Sequence, residues 1–210
     1  MWVENCLNWE YKGHPKVSKV AAECEAILIE LAQSPHLHYS SLGDTHSAHK
    51  RIFSSVAPVA CPYLAGNYRG LVLGCLAGYS VKVGPHYGEP PNSVHTKMDD
   101  FHRELNVALG AADAVAAKVS NKDEKLRLLT HVVNLCATTL ERFLTIHPYA
   151  NGNGHIARLL VWILLLRYKF PPVSWTLDQS PPGYGDLIQQ YRAGDQKPLK
   201  VFIYKSIIGD

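Results

Sequence analysis

Apolar residues recur at three- and four-residue spacing in several separate stretches of this chain, and that spacing predicts helices. The first runs through Val17, Val20, Ala21, Cys24, Ile27, Leu28 and Leu31, with Pro35 as its stop. A short helix near Asp44 to Ser54 follows, inside a stretch rich in His, Ser and Pro. Met98, Phe101, Leu105, Ala108, Leu109, Ala112, Val115, Ala116 and Val119 predict one or two helices between Ser93 and Val119, depending on whether Gly110 breaks the run. Leu129, Val132, Val133, Cys136, Leu140, Phe143 and Leu144 predict another from about Asp123 to Ile146, entered through Ser120-Asn121-Lys122-Asp123 as cap and turn. Leu187, Ile188 and Tyr191, then Leu199, Phe202, Ile203 and Ile207, predict two short helices near the end.

One segment has a different period. Tyr79, Val81 and Val83 alternate with Ser80 and Lys82, as in a half-buried strand. Gly84-Pro85 turns the chain, His86-Tyr87-Gly88 returns as a second strand, and Pro90-Pro91 blocks further pairing. A lone hairpin is marginal, so it must rest on the helices. The fold expected is therefore mainly α, with one small β-hairpin.

The run Leu159 to Leu166 is apolar on nearly every side, which marks a central buried helix. Immediately before it stands His147-Pro148-Tyr149-Ala150-Asn151-Gly152-Asn153-Gly154-His155-Ile156-Ala157-Arg158. Pro148 ends the preceding helix, and its ring pushes His147 toward extended backbone. The glycines let backbone N–H groups approach a ligand. His155 and Arg158 share one face of the first helical turn, where the helix dipole already presents positive charge. An anion held by the N-terminal amides and Arg158 resolves that conflict, and phosphate is the obvious candidate.

These twelve residues resemble the signature of the Fic family, His-Pro-Phe-x-(Asp/Glu)-Gly-Asn-Gly-Arg-x-x-Arg. His147, Pro148, Gly152, Asn153, Gly154 and Arg158 match it; Tyr149 replaces Phe, Asn151 the acid and His155 the first Arg. Arg69 with V-x-V, Gly, Pro-Pro and Met98 ahead of the motif, and Arg192-Ala193-Gly194-Asp195 after it, extend the likeness over about residues 66–208. The resemblance implies a Fic-type helical core at 66–210 with a helical extension at 1–65. It also implies a protein adenylyltransferase that moves AMP from ATP to a Ser, Thr or Tyr hydroxyl, with Mg²⁺.

In that scheme His147 is the general base, Gly152, Asn153, Gly154, His155 and Arg158 hold phosphate, and Asn151 stands at the metal position. The hairpin, with Tyr79, Val81, Val83, His86 and Tyr87, is a flap that holds a protein target by strand addition. Asn151 brings one negative charge fewer than an acid, so metal affinity should fall. His155 lacks an arginine's fork and fixed charge, so nucleotide binding should weaken, and should strengthen below about pH 6.5 if the imidazolium is what contacts the phosphate. Two other readings stay open: a degenerate nucleotide-binding relative without transfer activity, and a transferase using another phosphate-containing donor.

Many Fic proteins restrain themselves with a helix carrying Ser or Thr, three residues, then Glu followed by Gly or Asn. Here Ser120 and Glu124 have that spacing but Lys125 follows, while Ser18 meets Ala22 with Glu23 one position late. Restraint by a separate inhibitory partner, or none, stays open.

Composition changes this picture little. At 210 residues with 47% hydrophobic content the chain can bury a core as one domain. Lys plus Arg number 21 against 18 acidic residues, without a basic run, which gives no reason to invoke nucleic acid or an anionic membrane surface. The eight-residue apolar run is too short to span a bilayer, and the N-terminus lacks the pattern of a secretory signal. Five scattered cysteines without a C-x-x-C pair read as reduced core thiols, and with them a cytoplasmic protein, or an effector exported by a specialised machine. His46 and His49 could share a helix face as a metal pair, but no further ligand pattern completes a site, and surface histidines are the plainer reading. Nothing in the sequence speaks to oligomeric state.

Overall fold

A computed structural model describes residues 6–34 and 44–209. Among them seven α-helices stand in the order α1 Ser18–Gln33, α2 Thr45–Phe53, α3 Val94–Ala116, α4 Lys122–Ile146, α5 Asn153–Arg167, α6 Tyr184–Arg192 and α7 Lys197–Ile208. One antiparallel hairpin, β1 Lys82–Val83 and β2 His86–Tyr87, pairs Lys82 with Tyr87 and Val83 with His86. No helix among the described residues is long and apolar enough to cross a membrane.

Helix α5 is the centre, as its all-round apolar sequence predicts. Ile156, Ala157, Leu160, Val161, Ile163, Leu164 and Leu165 are wholly buried. It packs along α4, α4 packs on α3, and α6 and α7 close over the other flank of α4. Helix α1 lies on α2, which touches α5 through its last turn. Helix α4 starts where the sequence places it: Asn121 accepts a hydrogen bond from the Glu124 amide, and Glu124 reaches back to the amide and hydroxyl of Ser120. The Ser120–Glu124 spacing therefore serves this cap.

Several expectations need correction. Of the two alternatives left open at Gly110 one continuous helix is found, because a single glycine costs a helix anchored by its buried face only about 1 kcal/mol. The hairpin is shorter than the alternation suggests. Tyr79 is not in it: its ring is buried, and its hydroxyl accepts the Trp9 amide at 3.0 Å. Val81 precedes β1 and accepts the Gly88 amide. The stop at Pro35 lies outside the described residues.

Cysteine usage also differs. Cys6 and Cys75 form a disulfide, with Cα atoms 6.3 Å apart, whereas Cys24, Cys61 and Cys136 are buried free thiols. Sixty-nine residues separate the pair, so no local spacing announces it. The pairing removes the cysteine argument for a reducing compartment.

His49 is not a surface residue either. It is fully buried and stacks on Tyr149, ring centroids 3.8 Å apart. The Gly66 amide donates to its Nδ1, so Nε2 carries the proton and donates to the carbonyl of Asn151 at 2.9 Å. His46 bonds the Gly66 carbonyl and lies against Tyr68. No group of three or more metal-ligating side chains occurs among the described residues.

Candidate active site

The motif loop joins the C-terminus of α4 to the N-terminus of α5, and buried contacts fix it from three sides. Arg69 lies under its first half. This guanidinium is wholly buried without a carboxylate bonded to it, and it donates to four carbonyls: His147 (2.8 Å), Tyr79 (3.0 Å), Glu89 (3.0 Å) and Ile146 (3.1 Å). Its amide donates to the Pro148 carbonyl. A cation here meets the carbonyls of Ile146 and His147 at the end of α4, the first of which also accepts the Glu89 amide. Burial lowers its pKa to about 10, which still leaves it charged at neutral pH.

Inside the loop, Asn153 closes a ring, accepting the Tyr149 amide and donating to the Tyr149 carbonyl. The Tyr149 phenol finds a partner in Thr45 at 2.7 Å, so the change from Phe is accommodated. Gly152 takes φ +77°, and a Cβ there would stand 2.3 Å from the Phe53 ring. Glycine is required on both counts.

His147 departs from the extended backbone that Pro148 suggests. It caps α4 in the left-handed region, φ 54° and ψ 58°. A left-handed residue ends a helix as effectively as an extended one, and the Arg69 bonds to the carbonyls of Ile146 and His147 hold it there. The ring is thereby oriented. Nδ1 lies 3.0 Å from the Leu144 carbonyl, which can only accept, so Nδ1 carries the proton and Nε2 presents its lone pair. Burial pushes the pKa down to about 4, with Arg69 and Arg192 adding to the shift against the Leu144 carbonyl. The imidazole is neutral at ordinary pH.

A cleft of about 1130 Å³ opens over this loop. His147, Asn151, Gly152, Asn153, Gly154, His155 and Arg158 all line it, together with Val83, His86 and Tyr87 of the hairpin. The structure thus brings most of the sequence-predicted site residues to one cavity, and leaves Tyr79 and Val81 out of it. Gly88, at the exit of β2, lies so close to His147 that a Cβ there would stand 2.8 Å from that of His147. This places the hairpin beside the histidine. At the start of α5 the amides of His155 and Ile156 donate to the Gly152 carbonyl, which leaves those of Asn153 and Gly154, two residues that line the cleft, without a backbone acceptor among the described residues.

The phosphate-site side chains are less free than the motif suggests. Arg158 is buried, and it donates from Nε and Nη2 to the Leu177 carbonyl and from Nη1 to the Ser180 hydroxyl at 3.0 Å. Desolvation lowers its pKa. His155 is 6% exposed, with its ring against Phe53 and Tyr11. Burial, then the neighbouring Arg158 charge, pushes its pKa down to about 3. The expectation of an imidazolium below pH 6.5 is therefore corrected, because the ring is desolvated beside a fixed cation.

Asn151 is also occupied. Its Nδ2 donates to the Trp9 carbonyl at 2.9 Å, and its Oδ1 accepts the Gly152 amide at 2.7 Å. A neutral oxygen that already accepts one amide fits Mg²⁺ less well than a free carboxylate would. The position is a latch between the motif loop and the N-terminal segment.

Sequence reasoning missed Arg69, His49, Trp9 and Tyr11 as parts of this site. Only Arg69 had a usable signal, a lone cation within an apolar segment. Glu23 and Glu30 both pair with Arg51.

The sequence matches the Fic/DOC family over residues 48–165. A relative named Protein adenylyltransferase Fic from Aedes aegypti is 28% identical over 165 residues, 79% of this chain and 27% of its own length. A protein of the same name from Nematostella vectensis is 26% identical over 163 residues, 78% of this chain and 31% of its own. This chain thus spans less than a third of these curated relatives.

Proposed function

This chain belongs to the Fic/DOC family, and from that premise we propose that it is a protein adenylyltransferase, moving AMP from ATP to a Ser, Thr or Tyr hydroxyl of another protein. The observation that carries this reading is the contact of His147 Nδ1 with the Leu144 carbonyl, which leaves Nε2 as the free base of a ring that lines one cleft with Arg158, the start of α5 and the hairpin.

Nε2 takes the proton of the target hydroxyl as its oxygen bonds to the α-phosphorus. The bond from that phosphorus to the bridging oxygen of the β-phosphate breaks, and pyrophosphate leaves. The α5 amides and Arg158 stabilise the charge that develops on the phosphate oxygens. Bound phosphates raise the His147 pKa from its low resting value, which makes the imidazole a better base when substrate is present. Mg²⁺ belongs in this reading to the MgATP substrate. The hairpin presents Val83 and Tyr87, both substantially exposed, to an extended segment of the target.

A second reading, a nucleotide-binding relative without transfer, is favoured by the neutral His155 and the engaged Asn151. Incubating the protein and its His147→Ala variant with labelled ATP, Mg²⁺ and a cell lysate separates the two. A transferase labels protein only with His147 present, and both forms bind nucleotide. Binding by both with no labelling by either supports the second reading.

A further inference from the structure

The family signature places an arginine where this chain has His155, so the phosphate site is one cation short. Another cation lines the same cleft. Lys12 follows Tyr11, whose ring centroid is 5.8 Å from that of His155, and both Tyr11 and Lys12 border the cavity with Arg158. The segment that carries Lys12 is fixed. Trp9 is buried, its indole donates to the Val56 carbonyl, its amide to Tyr79 and its carbonyl accepts from Asn151 of the motif. Tyr11 is buried against Phe53, and the Lys12 amide donates to Glu10 Oε1 at 3.0 Å. The Lys12 side chain itself is exposed and makes no ion pair among the described residues. Its charge is near enough to act on His155, where it opposes protonation.

We propose that Lys12 supplies the cation that position 155 lacks, its ammonium binding the polyphosphate chain of a nucleotide seated on Arg158 and the α5 amides. The proposal rests on the nucleotide-transferase reading. A lysine suits the task as a mobile point charge, whereas an arginine on α5 would have to displace the aromatic packing of Tyr11 and Phe53 around position 155. The N-terminal segment thereby becomes part of the substrate site, joined to the motif through Trp9 and Asn151.

The test is calorimetric titration of ATP, ADP, AMP and adenosine into the wild-type protein and the Lys12→Ala, Lys12→Arg and Arg158→Ala variants. Lys12→Ala should weaken ATP binding about tenfold or more, as expected for loss of a charge-assisted contact, and leave adenosine unchanged. Lys12→Arg should restore most of the loss. ATP binding by Lys12→Ala equal to wild type, with Arg158→Ala impaired, would overturn the role of Lys12 and leave the transferase reading intact. Equal losses for ATP and adenosine would overturn it too, since they would reflect a disturbed segment. If the wild type binds no ATP, both this inference and the reading beneath it fail.

Discussion

The Nε of Arg69 donates to the carbonyl of His147 at 2.8 Å, seventy-eight positions away along the chain. The candidate base is therefore aimed from beneath by a buried cation. Replacing Arg69 with Met takes a donor from four carbonyls, of which that of Ile146 keeps the Glu89 amide, and should cost on the order of 3 kcal/mol in urea unfolding. A lysine at this position keeps the charge but cannot span four carbonyls, so Arg69→Lys should fall between. An Arg69→Met protein within about 1 kcal/mol of wild type would show that the guanidinium does not hold the loop.

Gly152 and Phe53 test the packing of the loop. Gly152→Ala should destabilise by about 1–3 kcal/mol, through the left-handed backbone and the clash with the ring. Shrinking the ring with Phe53→Leu should relieve part of the clash, so a double-mutant cycle should give a favourable coupling. Strict additivity would place the two side chains out of contact.

Proton linkage follows from His49. Its folded pKa, near 3, is depressed by burial below an unfolded value of about 6.5, so the folded state holds it neutral. Its contribution to stability is complete above about pH 6.5 and is lost as pH falls toward 3, because the unfolded chain takes the proton first. Urea midpoints at about pH 7 and pH 5 should differ less for His49→Gln than for wild type, by on the order of 1–2 kcal/mol in stability. Equal pH sensitivity in the two proteins would refute the assignment.

For His155 the structure replaces an acid-strengthened nucleotide site with an indifferent one. Between about pH 5.5 and 8, His155→Gln should show the same pH profile of ATP affinity as wild type, because phosphate is held in this account by Arg158 and the α5 amides while the His155 ring, packed on Tyr11 and Phe53 and titrating near 3, does not contact it. A wild-type affinity that climbs below about pH 6.5 and a flat variant would restore the imidazolium contact.

The Cys6–Cys75 bond ties down the segment that holds Trp9 against Asn151. Removing it with Cys75→Ser should cost about 2–4 kcal/mol, and alkylation of the denatured, unreduced wild type should modify three cysteines rather than five. Five modified cysteines would contradict the pairing.

The helices, the buried α5 and the motif loop were legible in the sequence because their signals are local: period, caps, glycines and one proline. The site's supports were not. Arg69 under His147, Trp9 against Asn151 and His49 beneath Tyr149 join residues dozens of positions apart, and no spacing rule reports such contacts. The pre-proline rule also pointed the wrong way at His147, since a buried cation on two carbonyls stabilises the left-handed turn. His155 misled through its ordinary pKa, which applies only to a solvated ring.

The most direct measurement supplies the protein, a lysate and Mg²⁺ with ATP labelled at the α-phosphate or, separately, at the γ-phosphate. Adenylyl transfer predicts protein-bound label from the α-position alone, lost in His147→Ala, with pyrophosphate released. Label from the γ-position, or α-label undiminished in His147→Ala, would contradict the account.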